Sequence, residues 1–209
     1  GWQALADGLA DNAALEALEL ANCDVDRVSL AALCDAVSQC AALQLLSFRG
    51  NPLSGPSTRS IGMLLARSPN LLHLDIGETS LQSKDVIVLC EAVASRGCAL
   101  ISLDVSRAHI SSVDCSFLGD AIAANRSLHR LTLDHNALRD EGFARLCEGL
   151  AESQSLQRVS LRGCRLGNAA GDAVISVARD NARLRVVDLQ NNEQLERASL
   201  ARRVSELPQ

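Results

Sequence analysis

The sequence predicts an α/β solenoid: a curved horseshoe with parallel strands on its concave face and helices on its convex face. Three observations predict it. Leu128–Leu138 reads LHRLTLDHNAL, with leucines at offsets 0, 3, 5 and 10 and an asparagine at offset 8. The frame returns along the chain from Leu15 to Leu184, with successive starts 28, 28, 29, 28, 28 and 28 residues apart. The second half of each unit carries apolar residues at offsets 18 and 22, four apart and so on one helix face. A fixed period of this length is the mark of stacked repeats that share one core.

The first half of a unit reads as a short strand. Leu131 and Leu133 are two apart and face inward, while Arg130, Thr132 and Asp134 face the other way. Offset 8 holds Cys23, Asn51, Thr79, Ala108, Asn136, Cys164 and Asn192. An asparagine there can satisfy backbone groups where the strand turns into the loop. At Ala108 that turn must satisfy its backbone another way. The second half reads as a helix, with Leu33, Ile61, Leu89, Leu118, Leu146 and Val174 at offset 18. Val37, Leu65, Val93, Ile122, Leu150 and Ala178 stand at offset 22, and Val86, Cys115 and Phe143 often complete the stripe at offset 15.

One domain over residues 1–209 follows, with a partial repeat over 1–14 and seven repeats starting at 15, 43, 71, 100, 128, 156 and 184. In the partial repeat Trp2, Leu5 and Leu9 keep the helix phase, so Trp2 reads as a core residue. Repeat two departs at NPLSGPSTRS, where Pro52, Gly55 and Pro56 point to a longer loop and a shorter helix. That helix is expected to start near Ser57 or Thr58, either of which could cap it. The alternative is a regulatory lip over Pro52–Ser60, with Ser54, Ser57, Thr58 and Ser60 open to phosphorylation. Repeats three to six read as regular, the extra residue of the 29 spacing falling at Gly97–Cys98. In the last repeat the frame slips by one: Leu195 takes the offset-10 role and Val204 and Leu207 continue the stripe. Arg203 then falls on a core slot, and Pro208 discourages continuation, which reads as a capping turn.

With 209 residues, 47% of them hydrophobic, there is enough apolar material for one continuous core. A net charge of −5 argues against a nucleic-acid partner. No apolar run approaches the ~18 residues of a membrane span, so no membrane association is expected. The chain begins at Gly1 without a methionine or a signal peptide, which reads as a fragment of a larger intracellular protein. The eight cysteines fall on repeat-core phases: Cys34, Cys90 and Cys147 at offset 19, Cys23 and Cys164 at offset 8. They read as small hydrophobes, reduced and mostly buried, in a cytoplasmic protein. A nuclear placement fits the same reduced thiols.

No catalytic motif of the GxSxG, GxxxxGK[ST] or HExxH kind occurs, and CxxC spacings are absent. His73 and Asp75 share the concave face with Asp104 on the next strand, but this trio reads as solvated surface rather than a metal or acid–base site. No enzyme activity and no cofactor or metal are therefore expected. What remains is a surface. Offset 2 gives the column Ala17, Leu45, His73, Ser102, Arg130, Arg158, Val186. Offset 4 gives Glu19, Ser47, Asp75, Asp104, Thr132, Ser160, Asp188, and offset 6 gives Ala21, Arg49, Gly77, Ser106, Asp134, Arg162, Gln190. Glu78, Arg107 and His135 stand at offset 7. The candidate protein-binding residues are His73, Asp75, Asp104, Arg107, Arg130, Asp134, Arg158 and Arg162. Asp134 and Arg162 are expected to pair. Arg130 beside Arg158 and Asp75 beside Asp104 are like-charge neighbours that a charged partner would relieve.

The motif LxxLxLxx(N/C)xL at 28–29 residues resembles the ribonuclease-inhibitor-type leucine-rich repeat family. The resemblance covers residues 1–207. It implies a protein-binding scaffold of the kind seen in ribonuclease inhibitors, the GTPase activator of Ran, NOD-like receptors, tropomodulin and centrosomal or ciliary proteins. Two departures narrow it: the concave columns hold no Trp, Tyr or Phe, and the chain end ASLARRVSELPQ lacks the acidic tail of the Ran activator. The expected function is a non-enzymatic protein–protein interaction module. The alternatives are a GTPase regulator and a ligand-sensing segment of a NOD-like receptor.

The repeat frame makes Leu131 a sheet-core residue. Leu131→Asp should therefore cost about 4 kcal/mol or more, by burying an unpaired charge. Urea unfolding followed by circular dichroism checks this.

Overall fold

The computed structural model describes residues 1–195. The expectations for Arg203, Val204, Leu207 and Pro208 lie outside that range. Strand and helix alternate. Helix α1 spans Trp2–Ala10, and β1 (Ala17–Glu19) is followed by α2 (Arg27–Gln39), β2 (Leu45–Ser47), α3 (Pro56–Arg67), β3 (His73–Asp75) and α4 (Ser83–Ala94). Then come β4 (Ser102–Asp104), α5 (Cys115–Ala124), β5 (Arg130–Thr132), α6 (Arg139–Glu152), β6 (Arg158–Ser160), α7 (Asn168–Asp180) and β7 (Val186–Asp188). The strands form one parallel sheet in chain order, β1 to β7. Its register joins equal offsets, for example Leu103 with Leu131 and Leu131 with Val159. The sheet lines the concave face and the helices the convex one.

The core lies between the two layers. Leu46, Leu74, Leu103, Leu131 and Val159 are buried along the middle of the sheet. Leu33, Ile61, Leu89, Leu118 and Leu146 meet them from the helices. Phe48 and Phe143 are fully buried, and the third phenylalanine, Phe117, is exposed on α5, away from the concave columns. The helix stripe breaks down at α7, where Ile175 and Val177 are buried while Val174 is half-buried and Ala178 exposed. Among the described helices α7 packs only on α6, so a residue facing away from α6 loses its cover. Trp2 in α1 is likewise only partly buried against the core.

The offset-8 asparagines Asn51, Asn136 and Asn192 tie their repeats to the ones before. Asn136 Oδ1 accepts the N–H groups of Ala108 (3.1 Å) and Ile110 (3.0 Å). Its Nδ2 donates to the carbonyls of Val105 and Leu133, both at 2.9 Å. Asn51 and Asn192 repeat this pattern toward Val25, Leu20 and Leu166, Leu161. The turn at Ala108, which has no side chain to offer, is thus satisfied by the next repeat's asparagine. A second set of asparagines, at the ends of the helices, works the same way. Asn125 Nδ2 donates to the Val93 carbonyl and Asn181 Nδ2 to that of Leu150, both at 2.7 Å. Buried polar groups need such partners, so both sets act as structural staples.

Three expectations need correction. Helix α3 starts at Pro56 and has 12 residues, as α4 does, so it is neither late nor short. Proline at the first helical turn presets φ, and the helix starts without a side-chain cap. Ser57 and Thr58 are buried, their hydroxyls without a hydrogen-bond partner, and of the four candidate phosphosites only Ser54 and Ser60 are half-exposed. Repeat four is less regular than expected: a 3-10 turn, Ser112–Asp114, precedes α5. Among the cysteines, Cys23 is exposed, β1 lying at the sheet edge, and Cys147 is half-buried although Cys34 and Cys90 at the same offset are buried. All eight are free thiols, and burial pushes those of Cys34, Cys90, Cys115, Cys147 and Cys164 up to about 12.

Asn136→Ala strands four backbone groups at once and should cost about 3 kcal/mol or more. Thr79→Ala removes one hydrogen bond, from Oγ1 to the Ile76 carbonyl, and should cost about 1 kcal/mol. Denaturant midpoints at equal m-value check the ranking.

Candidate functional site

Alternation along each strand sends offsets 2, 4 and 6 to the concave face, and the parallel register stacks them into columns. Asp75 stands beside Asp104, and Arg130 beside Arg158. Seven three-residue strands thus present a shallow polar surface with a hollow at one end. The hollow, of about 400 Å³, lies over β1–β4 between Glu19, Leu45, Arg49, His73, Ser102 and Asp104.

The acidic neighbours Asp75 and Asp104 are not left uncompensated. Arg49, which is not among the residues expected from the sequence to bind, reaches across the sheet to them. Its Nη1 lies 3.4 Å from Asp75 Oδ1 and 3.8 Å from Asp104 Oδ2. The same nitrogen donates to Ser106 Oγ at 3.2 Å, and Nη2 donates to Glu78 at 2.9 Å. Gly77 makes the crossing feasible: a Cβ there would sit 2.5 Å from Arg49 Nη1 and 2.9 Å from Ser106 Oγ. The signal was legible, since column six runs Arg49, Gly77, Ser106.

Burial raises the Asp104 carboxyl above the ordinary carboxylate range, and Asp75 adds to this. The backbone and side chain of Ser106, and Arg49, pull it the other way. For Arg49, burial works against the charge, but the hydrogen bond to Glu78 and the charges of Asp75 and Asp104 outweigh it and raise its pKa. Asp75 has its oxygens engaged with Ser47 Oγ, Arg49 and the Gly77 N–H. His73 lies on the same face, half-buried, and no hydrogen bond joins it to Asp75. Among the described residues no group of three or more His, Cys, Asp or Glu side chains is placed to hold a metal ion.

The expected pairing of Arg162 with Asp134 needs correction. Arg162 turns toward β7 and grips Asp188 Oδ2 with Nε (2.8 Å) and Nη2 (2.6 Å). Asp134 Oδ1 instead accepts the Arg162 backbone N–H at 2.9 Å. A carboxylate two offsets lower on the next strand gives the long guanidinium better geometry than one on the preceding strand at the same offset. The hydrogen bond from Arg162 holds the Asp188 carboxyl below its ordinary range.

Arg107, Arg130 and Arg158 are exposed, and none of them makes an ion pair or a side-chain hydrogen bond. In column two Val186 follows Arg158, 39% exposed. Of the eight candidate residues, His73, Asp75 and Asp104 therefore gather at the hollow. Arg107, Arg130 and Arg158 form a separate basic strip, and Asp134 and Arg162 are tied into the framework between them.

A family model described as "Leucine Rich repeat" matches residues 124–147. The chain is 27% identical to ribonuclease inhibitor of Mus musculus over 223 aligned positions, covering 92% of this chain and 49% of that protein. It is 31% identical to NACHT, LRR and PYD domains-containing protein 9 of Bos taurus, covering 91% of this chain and 19% of that one. It is 36% identical to the human NACHT, LRR and PYD domains-containing protein 12 over 129 residues, 61% of this chain and 12% of that one. The chain thus spans about half the length of the inhibitor and less than a fifth of the others. No helix among the described residues is long and apolar enough to cross a membrane.

With its folded pKa below the unfolded value of 3.8, Asp188 contributes stability in full above about pH 5 and loses it as pH falls through the folded value. Arg162→Gln should return the Asp188 carboxyl to the ordinary range and flatten that part of the acid limb. A carbonyl-carbon NMR titration of the two proteins reads it directly.

Proposed function

The chain belongs to the ribonuclease-inhibitor-type leucine-rich repeat family, and from that premise we propose that it is a non-enzymatic protein–protein interaction module of a larger cytoplasmic protein. Partners bind the concave face of repeats three to six. The observation that carries this is the basic pair Arg130 and Arg158. They stand in register on adjacent strands, exposed and without a counter-charge within 4 Å. Elsewhere on the same face, charges are matched: Arg49 with Asp75 and Glu78, Arg162 with Asp188. Arg158 acts on the Asp188 carboxylate only at longer range, while Arg162 grips it, so the repulsion between Arg130 and Arg158 is left largely standing and suits an interface, where arginine is a favoured anchor.

The similarity to NACHT, LRR and PYD domains-containing proteins favours a second form of this reading. In it, the module is the ligand-sensing part of a receptor with a nucleotide-binding domain. The sequence of the whole protein separates the two: a NACHT-type domain on the same chain supports the receptor form, and its lack removes it.

The test of the shared claim compares three proteins of equal thermal stability as baits in cell lysate. They are wild type, Arg130→Glu/Arg158→Glu on the concave face, and Lys84→Glu/Arg179→Glu on the helices. Proteins retained by wild type and by the helix variant should be lost from the concave variant. Identical recovery by all three overturns the concave-face assignment.

A further inference from the structure

All seven units pass through left-handed backbone at offset 7: Asn22, Gly50, Glu78, Arg107, His135, Gly163 and Asn191 have φ between 51° and 68°. This conformation suits glycine and, next, asparagine, because any Cβ crowds the following carbonyl. The outer repeats comply, with Asn22, Gly50, Gly163 and Asn191. Repeats three to five hold Glu78, Arg107 and His135 instead. Just beyond the strands four further residues are left-handed, Asp24 (φ 50°), His109 (φ 63°), Arg139 (φ 57°) and Arg165 (φ 61°), two of them arginines.

Arg107, Arg139 and Arg165 thus occupy a backbone conformation that arginine disfavours. Nothing within the fold compensates them. All three are exposed, and their side chains make no hydrogen bond or ion pair. The backbone bonds at these sites, from Arg107 N to the Asp134 carbonyl (2.8 Å) and from Arg139 N to the Cys164 carbonyl (3.1 Å), would form equally with glycine. The nearby carboxylates are committed elsewhere. Asp134 accepts the Arg162 N–H, Asp140 accepts the Gly167 N–H, and Asp188 holds the Arg162 guanidinium. Left-handed arginines whose side chains the fold does not use, one in each of three consecutive repeats, point to side chains kept for a partner.

Arg130 and Arg158 open β5 and β6, Arg107 follows β4, and Arg139 and Arg165 follow β5 and β6, Arg139 as the first residue of α6 and Arg165 in the loop that leads to α7. Offset 2 and offset 7 are five residues apart, about 16 Å along the strands, and β4 to β6 adds about 10 Å across. We propose that Arg107, Arg130, Arg139, Arg158 and Arg165 form one docking strip for a short acidic protein segment, about five extended residues long. The inference rests on the concave-face reading above and names the partner's chemistry. Charge complementarity selects the occupant, and the other half of the face limits its length. Glu19, Asp75, Glu78 and Asp104 lie over β1–β4, where Arg49 is the arginine that ion-pairs with Asp75, Glu78 and Asp104. A long polyanion such as nucleic acid would have to run over that acidic half, whereas a short segment stays on repeats four to six. Val186, next in the column after Arg158, offers the segment an apolar neighbour.

The test uses the whole chain and three fluorescent probes of equal length: a peptide of six glutamates interspersed with glycine, its lysine counterpart, and a single-stranded DNA. The decisive variant is Arg107→Gly/Arg139→Gly/Arg165→Gly. Glycine relieves left-handed strain, so this variant should melt higher, by about 2–4 °C per site. It should also bind the glutamate peptide at least tenfold more weakly, so lost binding cannot be blamed on misfolding. Arg130→Glu/Arg158→Glu should abolish binding, and 0.5 M salt should weaken it in the wild type. Equal affinity of wild type and the glycine variant overturns the docking strip. So does a failure to bind the glutamate peptide, or a preference for DNA over it. If the strip fails while the lysate proteins still depend on Arg130 and Arg158, the concave-face reading stands without it. If those proteins are indifferent to Arg130 and Arg158, that reading itself has failed.

Discussion

The turns of repeats one, four and six in this solenoid each depend on an asparagine that bonds backward. The amide of Asn136 closes the turn of repeat four through Ala108, Ile110 and Val105 while holding its own strand end through Leu133. Strands of three residues have few ladder bonds of their own, so the turns beside them would otherwise bury unpaired polar groups. The amide has two donors and two acceptor lone pairs, which is enough for this task, and no hydroxyl or thiol matches it. Asn125 and Asn181 do the equivalent work where the helices end. With both edges of the repeat stapled, the leucines between them can be packed dry.

A framework held in this way leaves its concave face free to carry charge. How that charge is settled differs from one end to the other. Toward β1–β4 one guanidinium, admitted by the missing side chain at Gly77, serves three carboxylates. Toward β7 another grips Asp188. Between them the arginines of β5 and β6 face solvent side by side. The separation follows from what stands within reach: Arg130 and Arg158 have Ser102, each other and Val186 beside them in their column, and no carboxylate there.

The rim adds a second kind of constraint. Left-handed backbone at offset 7 is required by the turn and is indifferent to the side chain, so glycine or asparagine would be the stable choice in every repeat. Repeats with arginine or histidine there hold a less stable local structure in exchange for charge at the mouth of the concave face. Stability and binding surface are therefore in tension in the middle of the molecule and not at its ends, where Asn22, Gly163 and Asn191 stand.

The sequence alone determined the periodic part of this protein. Offsets 3, 5, 18 and 22 named the buried leucines, and parallel register at 28 residues named the column mates, because repetition turns sequence distance into spatial adjacency. It also marked Asn51, Asn136 and Asn192 as turn residues. Tertiary structure decided whatever depends on reach across strands or on what lies beyond an end. Arg49 bypasses β3 to reach Asp104, and Arg162 chooses Asp188 over Asp134, because a long flexible side chain selects among several carboxylates by geometry that offsets do not encode. Pro56 starts a helix without a cap, burying the hydroxyls of Ser57 and Thr58. Ala178 and Cys23 keep the right phase and are still exposed, since burial requires a neighbouring repeat as well as a position in the frame.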